Sequence, residues 1–421
     1  MEDIGQLANL AKGLNTVWVL IAAFLVFLMQ AGFGMLEAGL IRAKNTCNIL
    51  MKNLMDFCTA SLGFFMFGYA IMFGSGNALF GTKGWFLSGA ESGAGLPLYA
   101  YWLFQAVFCG TAATIVAGGM AERMKFQAYL LYSFLISALV YPIVGHWIWG
   151  GGWLAGLDFA DFAGSTVVHA VGGWAAFIGT VILGPRIGKY NPDGSAKAIA
   201  GHSMPLASLG IFLLWFGWFG FNPGSTLGVS DGSLIARVAI NTNLAAASGA
   251  ITAMFFAWSK FRKPDLSMTM NGALAGLVAI TAPCAFVFPG EAILIGAVGG
   301  IIVVSGIMFL DRIHVDDPVG AVPVHGINGI WGTLSVGIFG QKALGLARDG
   351  LLHGGGMTQV GVQALGTFTV TLFVISAMYL MFKFIESIIG LRVARDEELK
   401  GLDVGEHGME SYAGFQIFTT Q

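Results

Sequence analysis

Charge is what this sequence has least of. Asp, Glu, Lys and Arg make up 10% of its 421 residues, where a soluble domain carries about 25%. With 56% hydrophobic residues and a mean hydropathy of +0.75, a water-soluble globule of this length is excluded, and the class is an all-α polytopic membrane protein. Cysteine is scarce as well. Cys47, Cys58, Cys109 and Cys284 lie in or beside apolar stretches without metal-ligand spacing, which argues against a disulfide framework or a metal site. The N-terminal MEDIGQLANLAKG lacks the basic start of a signal peptide, so the first apolar stretch reads as a retained span. A net charge of −2 singles out no partner beyond the lipid bilayer, and no nucleic acid is expected.

Long apolar stretches are abundant. Those able to cross a core of about 30 Å fall near 15–42, 53–75, 97–121, 126–149, 163–185, 201–222, 233–259, 268–287, 291–310, 319–340 and 359–390. They predict eleven transmembrane helices between an N-terminal segment, 1–14, and a polar tail, 391–421. An outside N-terminus puts fifteen Lys and Arg residues on the inner side and four (Lys12, Lys83, Lys342, Arg348) on the outer side. That asymmetry is the positive-inside bias expected of the cytoplasmic face, and it supports an odd number of spans with the C-terminus in the cytoplasm. The 62 glycines suit closely packed membrane helices.

Histidine is rare, seven in all, yet one recurs inside a repeated pattern. DFAGSTVVHAVGG begins at Asp161 and DPVGAVPVHGING at Asp317; each has Gly fourth, Val-His eighth and ninth, and Gly thirteenth. An odd number of spans separates the copies, so their helices run in opposite directions. This is the sequence signature of a five-plus-five inverted repeat (roughly 15–185 and 201–340, with an additional C-terminal helix at 359–390), which places a substrate site near the midplane. Eight residues of helix rise about 12 Å, so His169 from outside and His325 from inside both reach mid-membrane, where an ionisable side chain marks a functional site. Asp161 and Asp317 suit helix N-caps first and substrate contacts second. No third Cys, His or carboxylate stands at ligand spacing in these spans, so neither metal nor cofactor is expected.

Aromatic residues crowd the outer ends of neighbouring spans: Phe104 and Phe108 in YWLFQAVFCGT, Trp147, Trp149 and Trp153 in HWIWGGGW, and Trp215, Trp218, Phe219 and Phe221 before Ser225 in LLWFGWFGFNPGST. Most of these fit an interfacial belt. At a pore mouth, indole and phenyl faces with a hydroxyl also bind a small cation. An apolar path beyond them is hostile to a bare charge. A guest that sheds a proton, as ammonium does in becoming ammonia, escapes that cost.

These residues resemble the ammonium transporter family (Amt/Mep, with Rh proteins as distant relatives), through QAGFGMLEAGLIRAKN (30–45), AERMKF (121–126), HWIWGGGW (146–153), DFAGSTVVH (161–169), GWFGFNPGS (217–225), VDDPVGAVPVHG (315–326) and GLDVGEHGMESY (401–412). The first motif looks closer to the plant and cyanobacterial branch. The resemblance implies a homotrimer in the plasma membrane, one pore per subunit, carrying ammonium with methylammonium as analogue. It implies that Trp149, Phe108 and Ser225 form an external recruitment site supported by Asp161. It makes Phe108 and Phe221 a stacked gate, His169 and His325 the twin histidines, and Trp218 a pore-lining aromatic. It further implies an ordered tail arm and a PII-type signalling protein at the inner face. An ammonium sensor of the same fold and a Rh-like carrier of neutral ammonia are the alternatives; an enzyme lacks a nucleophile near the histidines.

Overall fold

The computed structural model describes residues 2–414. Among them the secondary structure is helical, with isolated bridges but no strand. In chain order the helices are α1 (Glu2–Leu40), α2 (Ala43–Phe73), α3 (Leu98–Met120), α4 (Phe126–Ile148), α5 (Ser165–Leu183), α6 (Met204–Thr226), α7 (Gly232–Phe261), α8 (Leu266–Thr281), α9 (Pro289–Arg312), α10 (residues 322–339), α11 (Thr358–Ile389), α12 (Arg395–Lys400) and α13 (Leu402–His407). Nine of them, among the described residues, are long and apolar enough to cross a membrane. A shorter apolar helix is α8.

Helix α1 begins at Glu2, not near residue 15. The reason is a stripe the polar residues disguised: Leu7, Leu10, Leu14, Val17, Ile21 and Phe24, all exposed, recur every three or four residues and extend one apolar face without a break. Helix α2 likewise begins before Lys52, whose buried ammonium donates to the Met124 carbonyl at 2.7 Å instead of marking a boundary. Helix α8 stops at Thr281 because the following residues turn and cross the bundle, where Ala282 and Thr281 carbonyls accept from Phe162 and Ala163.

The two histidine-bearing helices open in the same way. Each starts with a π-helical turn, Ser165–Ala170 and Val322–Ile327. Gly164 and Gly320, at φ +114° and +82°, occupy the left-handed region that favours glycine, and they redirect the chain into those turns. The Asp161 carboxylate accepts the amides of Gly164, Ser165, Thr166 and Val167 at 2.8–2.9 Å. Asp317 accepts those of Gly320 and Val322 at 3.1 and 2.7 Å. Both carboxylates therefore cap from upstream of the N-cap position. The helices cross at a backbone contact: a Cβ on Gly173 would stand 2.0 Å from Gly326 N, and one on Gly329 would stand 2.9 Å from Ala170 N.

Charge gathers at the end of the helix bundle where the tail lies. Arg186 grips Asp316 through Nε at 2.8 Å and Nη2 at 2.9 Å, and Arg123 Nη2 donates to the Asp316 carbonyl at 2.8 Å. Burial opposes the Asp316 charge, yet the hydrogen bonds and field of Arg186, with Arg123, hold its carboxyl well below the usual carboxylate range. The tail docks on this surface. Asp403 accepts Cys47 N and Asn48 N at 3.0 and 2.8 Å at the start of α2, Glu406 accepts Phe126 N at 2.7 Å, and Glu398 accepts Ile187 N at 2.8 Å. Each is a carboxylate on free backbone amides of the loops or helix starts, a favourable pairing. Residues 415–421, the rest of the expected tail, lie outside the described residues.

Candidate functional site

The path starts in an outer cavity of about 300 Å³ whose lining includes Phe104, Phe108, Trp149 and Ser225. Its residues come from α3, the end of α4 and the end of α6, the three aromatic-rich stretches of the sequence. Phe108 meets Trp149 at 6.2 Å, nearly perpendicular. The Trp149 indole N–H donates to the Asp161 carbonyl at 2.7 Å, which fixes the ring so that its face borders the cavity. Asp161 itself does not line that cavity; its carboxylate is consumed by the four amides. The Ser225 hydroxyl donates to the Phe221 carbonyl at 2.8 Å. Its proton is thereby committed, and its oxygen is left as an acceptor. Gln105 and Tyr101 also line this space and were missed in the sequence. Gln105 Oε1 is buried without a partner, a second acceptor aimed among aromatic rings. A polar Gln inside the apolar stretch of α3 was the signal available.

Phe108 and Phe221 close the floor of the cavity. Their rings stack at 4.0 Å with 27° between planes, and both are buried. Directly beneath lie the histidines. His169 stacks against Phe221 at 5.3 Å, against Trp218 at 5.0 Å and against His325 at 5.2 Å. Trp218 is held by its indole N–H donating to Thr281 Oγ1 at 2.9 Å, so the turn that ends α8 fixes the orientation of a pore ring. Phe33 of α1 covers His325 at 6.1 Å.

His169 Nδ1 and His325 Nδ1 are 3.1 Å apart, and the two residues are 0% and 3% exposed. A single shared proton lets one neutral ring donate and the other accept. Whichever ring donates, its own Nε2 is then a free acceptor, and the Nε2 of its partner is an N–H donor. The pair thus offers one donor and one acceptor to a small guest. His169 Nε2 is buried with no partner, as such an arrangement leaves it. Trp147 and Trp153, also singled out in the sequence, pack on each other at 5.9 Å and stay outside the path. Among the described residues no cluster of three His, Cys, Asp or Glu could hold a metal.

On the side of His325 away from the Phe108–Phe221 pair lies a second, small cavity, lined by Phe33, Glu37, Ile115, Asn271, Val324 and His325 among others. Glu37 and Asn271 belong to spans from which no sequence signal picked them.

Comparison with known proteins gives the family. The Ammonium Transporter Family model matches residues 17–412. An ammonium transporter, Amt2, of Archaeoglobus fulgidus is 47% identical over 96% of this chain and 89% of its own. Among solved structures, a sensor Amt protein superimposes with a TM-score of 0.89 at 42% identity, over 95% of this chain and all of that one. Mep2 of Candida albicans reaches 0.85 at 30% identity, over 91% and 87%. The chain belongs to the ammonium transporter family.

Proposed function

We propose that the protein recruits ammonium at the outer cavity, strips one proton from it, and passes neutral ammonia beside His169 and His325 while the proton crosses by a separate route, so that net charge moves. The observation that carries this reading is the pair of stacked imidazoles, bonded to each other beneath a closed phenyl pair. An acceptor hydroxyl among aromatic faces attracts a cation. A dry path sealed by Phe108 and Phe221 makes a bare charge costly. The imidazoles then replace the hydrogen bonds that ammonia loses on leaving water. Trp149, Phe108 and Ser225 hold the cation, Phe108 and Phe221 gate it, Trp218 orients His169, and Asp161 keeps Trp149 and the start of α5 in place.

The same reading makes α1–α11 eleven spans, the first ten forming two inverted halves. Its support is the reciprocal contact at the crossing, because Gly173 with Gly326 and Gly329 with Ala170 exchange places under the same shift of 156 residues that relates His169 to His325. The working assembly is a homotrimer in the plasma membrane, with N-termini outside and tails in the cytoplasm. Its membrane domain is 15–390 and its regulatory tail 391–421, where a PII-type protein docks.

The test is the double variant His169→Ala/His325→Ala in liposomes on a solid-supported membrane. Current evoked by an ammonium jump falls about 100-fold, the scale of a positioned proton-exchanging group, while the protein keeps its elution volume. Undiminished selective current refutes the mechanism. The sensor reading is favoured by one observation, the 42% identity to a sensor Amt protein. Wild-type protein that binds ammonium and shifts its tail without flux establishes that reading instead.

A further inference from the structure

The outer half of the path contains acceptors for ammonium; the inner half contains a carboxyl group that the mechanism above does not use. Glu37 lies on the last turns of α1 and is 2% exposed. It lines the cavity directly below His325. That cavity leaves about 10 Å³ for the centre of a water-sized sphere, room for one molecule of that size. Ammonia is such a molecule. The polar lining is Glu37, Asn271 and His325, and the rest includes the apolar Phe33, Ile115 and Val324.

Glu37 is held on one side only. Its Oε2 accepts Asn53 Nδ2 at 2.9 Å, and Oε1 makes no hydrogen bond among the described residues. Gly118 leaves the space that Oε1 occupies, since a Cβ there would stand 3.1 Å from it. No arginine or lysine lies within ion-pair distance of this carboxyl among the described residues. The charged groups acting on it from neighbouring elements are Lys52 and Asp56 of α2 and Asp317 before α10. Lys52 is engaged by the Met124 carbonyl. Asp56 is engaged by Thr114 and Ser133, and Asp317 by its two amides. Glu37 is the carboxyl left with an oxygen open at this cavity.

We propose that Glu37 is the inner proton-exchange site of the transport path. Ammonia leaving His325 takes the proton of the Glu37 carboxylic acid: the O–H bond breaks, an N–H bond forms on the ammonia lone pair, and an ammonium–carboxylate pair results. Asn271 offers its amide oxygen to that cation. Ammonium then departs to the inner water, from which the carboxylate regains a proton. In the reverse direction the same group removes the proton before entry, so both ends of the dry segment are guarded.

This inference rests on the proposed transport reading, and the test separates the two. Glu37→Gln keeps the side-chain length, and its amide oxygen still accepts from Asn53, but it has no acid proton to exchange. In liposomes carrying assembled protein, maximal ammonium-evoked current falls at least about tenfold, while the external half-saturation concentration stays within about twofold. Glu37→Asp restores part of the current. A merely structural role would disturb the outer half-saturation or elution volume together with the current. Wild-type current from the Gln variant overturns the inference and leaves the transport reading intact; no current from the wild-type chain overturns both. If the Gln variant does not assemble, wild-type protein decides the matter by infrared difference spectroscopy. Ammonium perfusion then changes a buried carboxyl C=O band in protein carrying isotope-labelled glutamate, and an unchanged carboxyl region overturns the inference.

Discussion

The outer and inner mouths of the path share a backbone plan and differ in chemistry. Both begin with Asp, a left-handed glycine and a π-helical turn bearing histidine. Outside, a cavity of about 300 Å³ presents Trp149 and Ser225 without a carboxylate, and no residue of the turn lines it. Inside, the turn borders one of about 10 Å³ containing Glu37. On the proposed inverted repeat the helices that supply the side chains facing the guest are matched as well, α3 with α8 and α6 with α1, so the contrast lies in which side chains those helices carry. Phe104 and Phe108 of α3 and Ser225 of α6 make the outer site; Glu37 of α1 and Asn271 of α8 make the inner one. On the proposed reading, a wide aromatic mouth would collect a hydrated cation, and a tight polar pocket would exchange a proton with one small molecule.

Substitutions at matched positions break or sharpen this contrast. The largest effect is expected at the crossing, where Gly173→Ala drives a methyl group to 2.0 Å from backbone. Overpacking there costs about 3 kcal/mol, and Gly329→Ala, with more room, costs less; thermal unfolding in detergent reads both. Equal costs would show that the two arms are closer to identical than their distances suggest. Next, Asp161→Ala removes an acceptor from four amides and Asp317→Ala from two. The former is expected to lose about 2 kcal/mol more stability, and it loosens the turn whose main-chain carbonyl holds Trp149, so the external half-saturation concentration rises only for Asp161→Ala. A reversed order would mean that the inner turn is the less tolerant one. The smallest effect belongs to Ser225→Ala, which removes one acceptor and weakens external ammonium binding by about fivefold with maximal current retained. A fall in maximal current instead would move the serine's role from recruitment to passage.

Much of the site was legible because its residues are costly where they stand. Two histidines in apolar repeats call for an explanation, and so do tryptophans clustered before a serine. The fold-level reading of an all-helical membrane protein followed from charge and hydropathy alone. What escaped was what depends on distant segments meeting. Glu37 carries no signal of its own in the sequence, and its place at the path follows from α3, α8 and α10 closing around it. Gln105 was a single amide in an apolar run. The start of α1 was misplaced because Lys12 and the neighbouring polar residues hid the stripe from Leu7 to Phe24. The capping role expected for Asp161 was right in kind, but the extra turn through Gly164 moved it upstream and let it serve four amides.

The glycine crossing has one more implication. Where main chain rests on main chain, the bore has no compressible side chains to yield, and its diameter at the imidazoles is set by peptide geometry. On the proposed transport reading, opening and closing would then fall to ring rotation at Phe108 and Phe221, not to parting of the helices, and traffic would be metered by the swing of two phenyl shutters in a rigid frame.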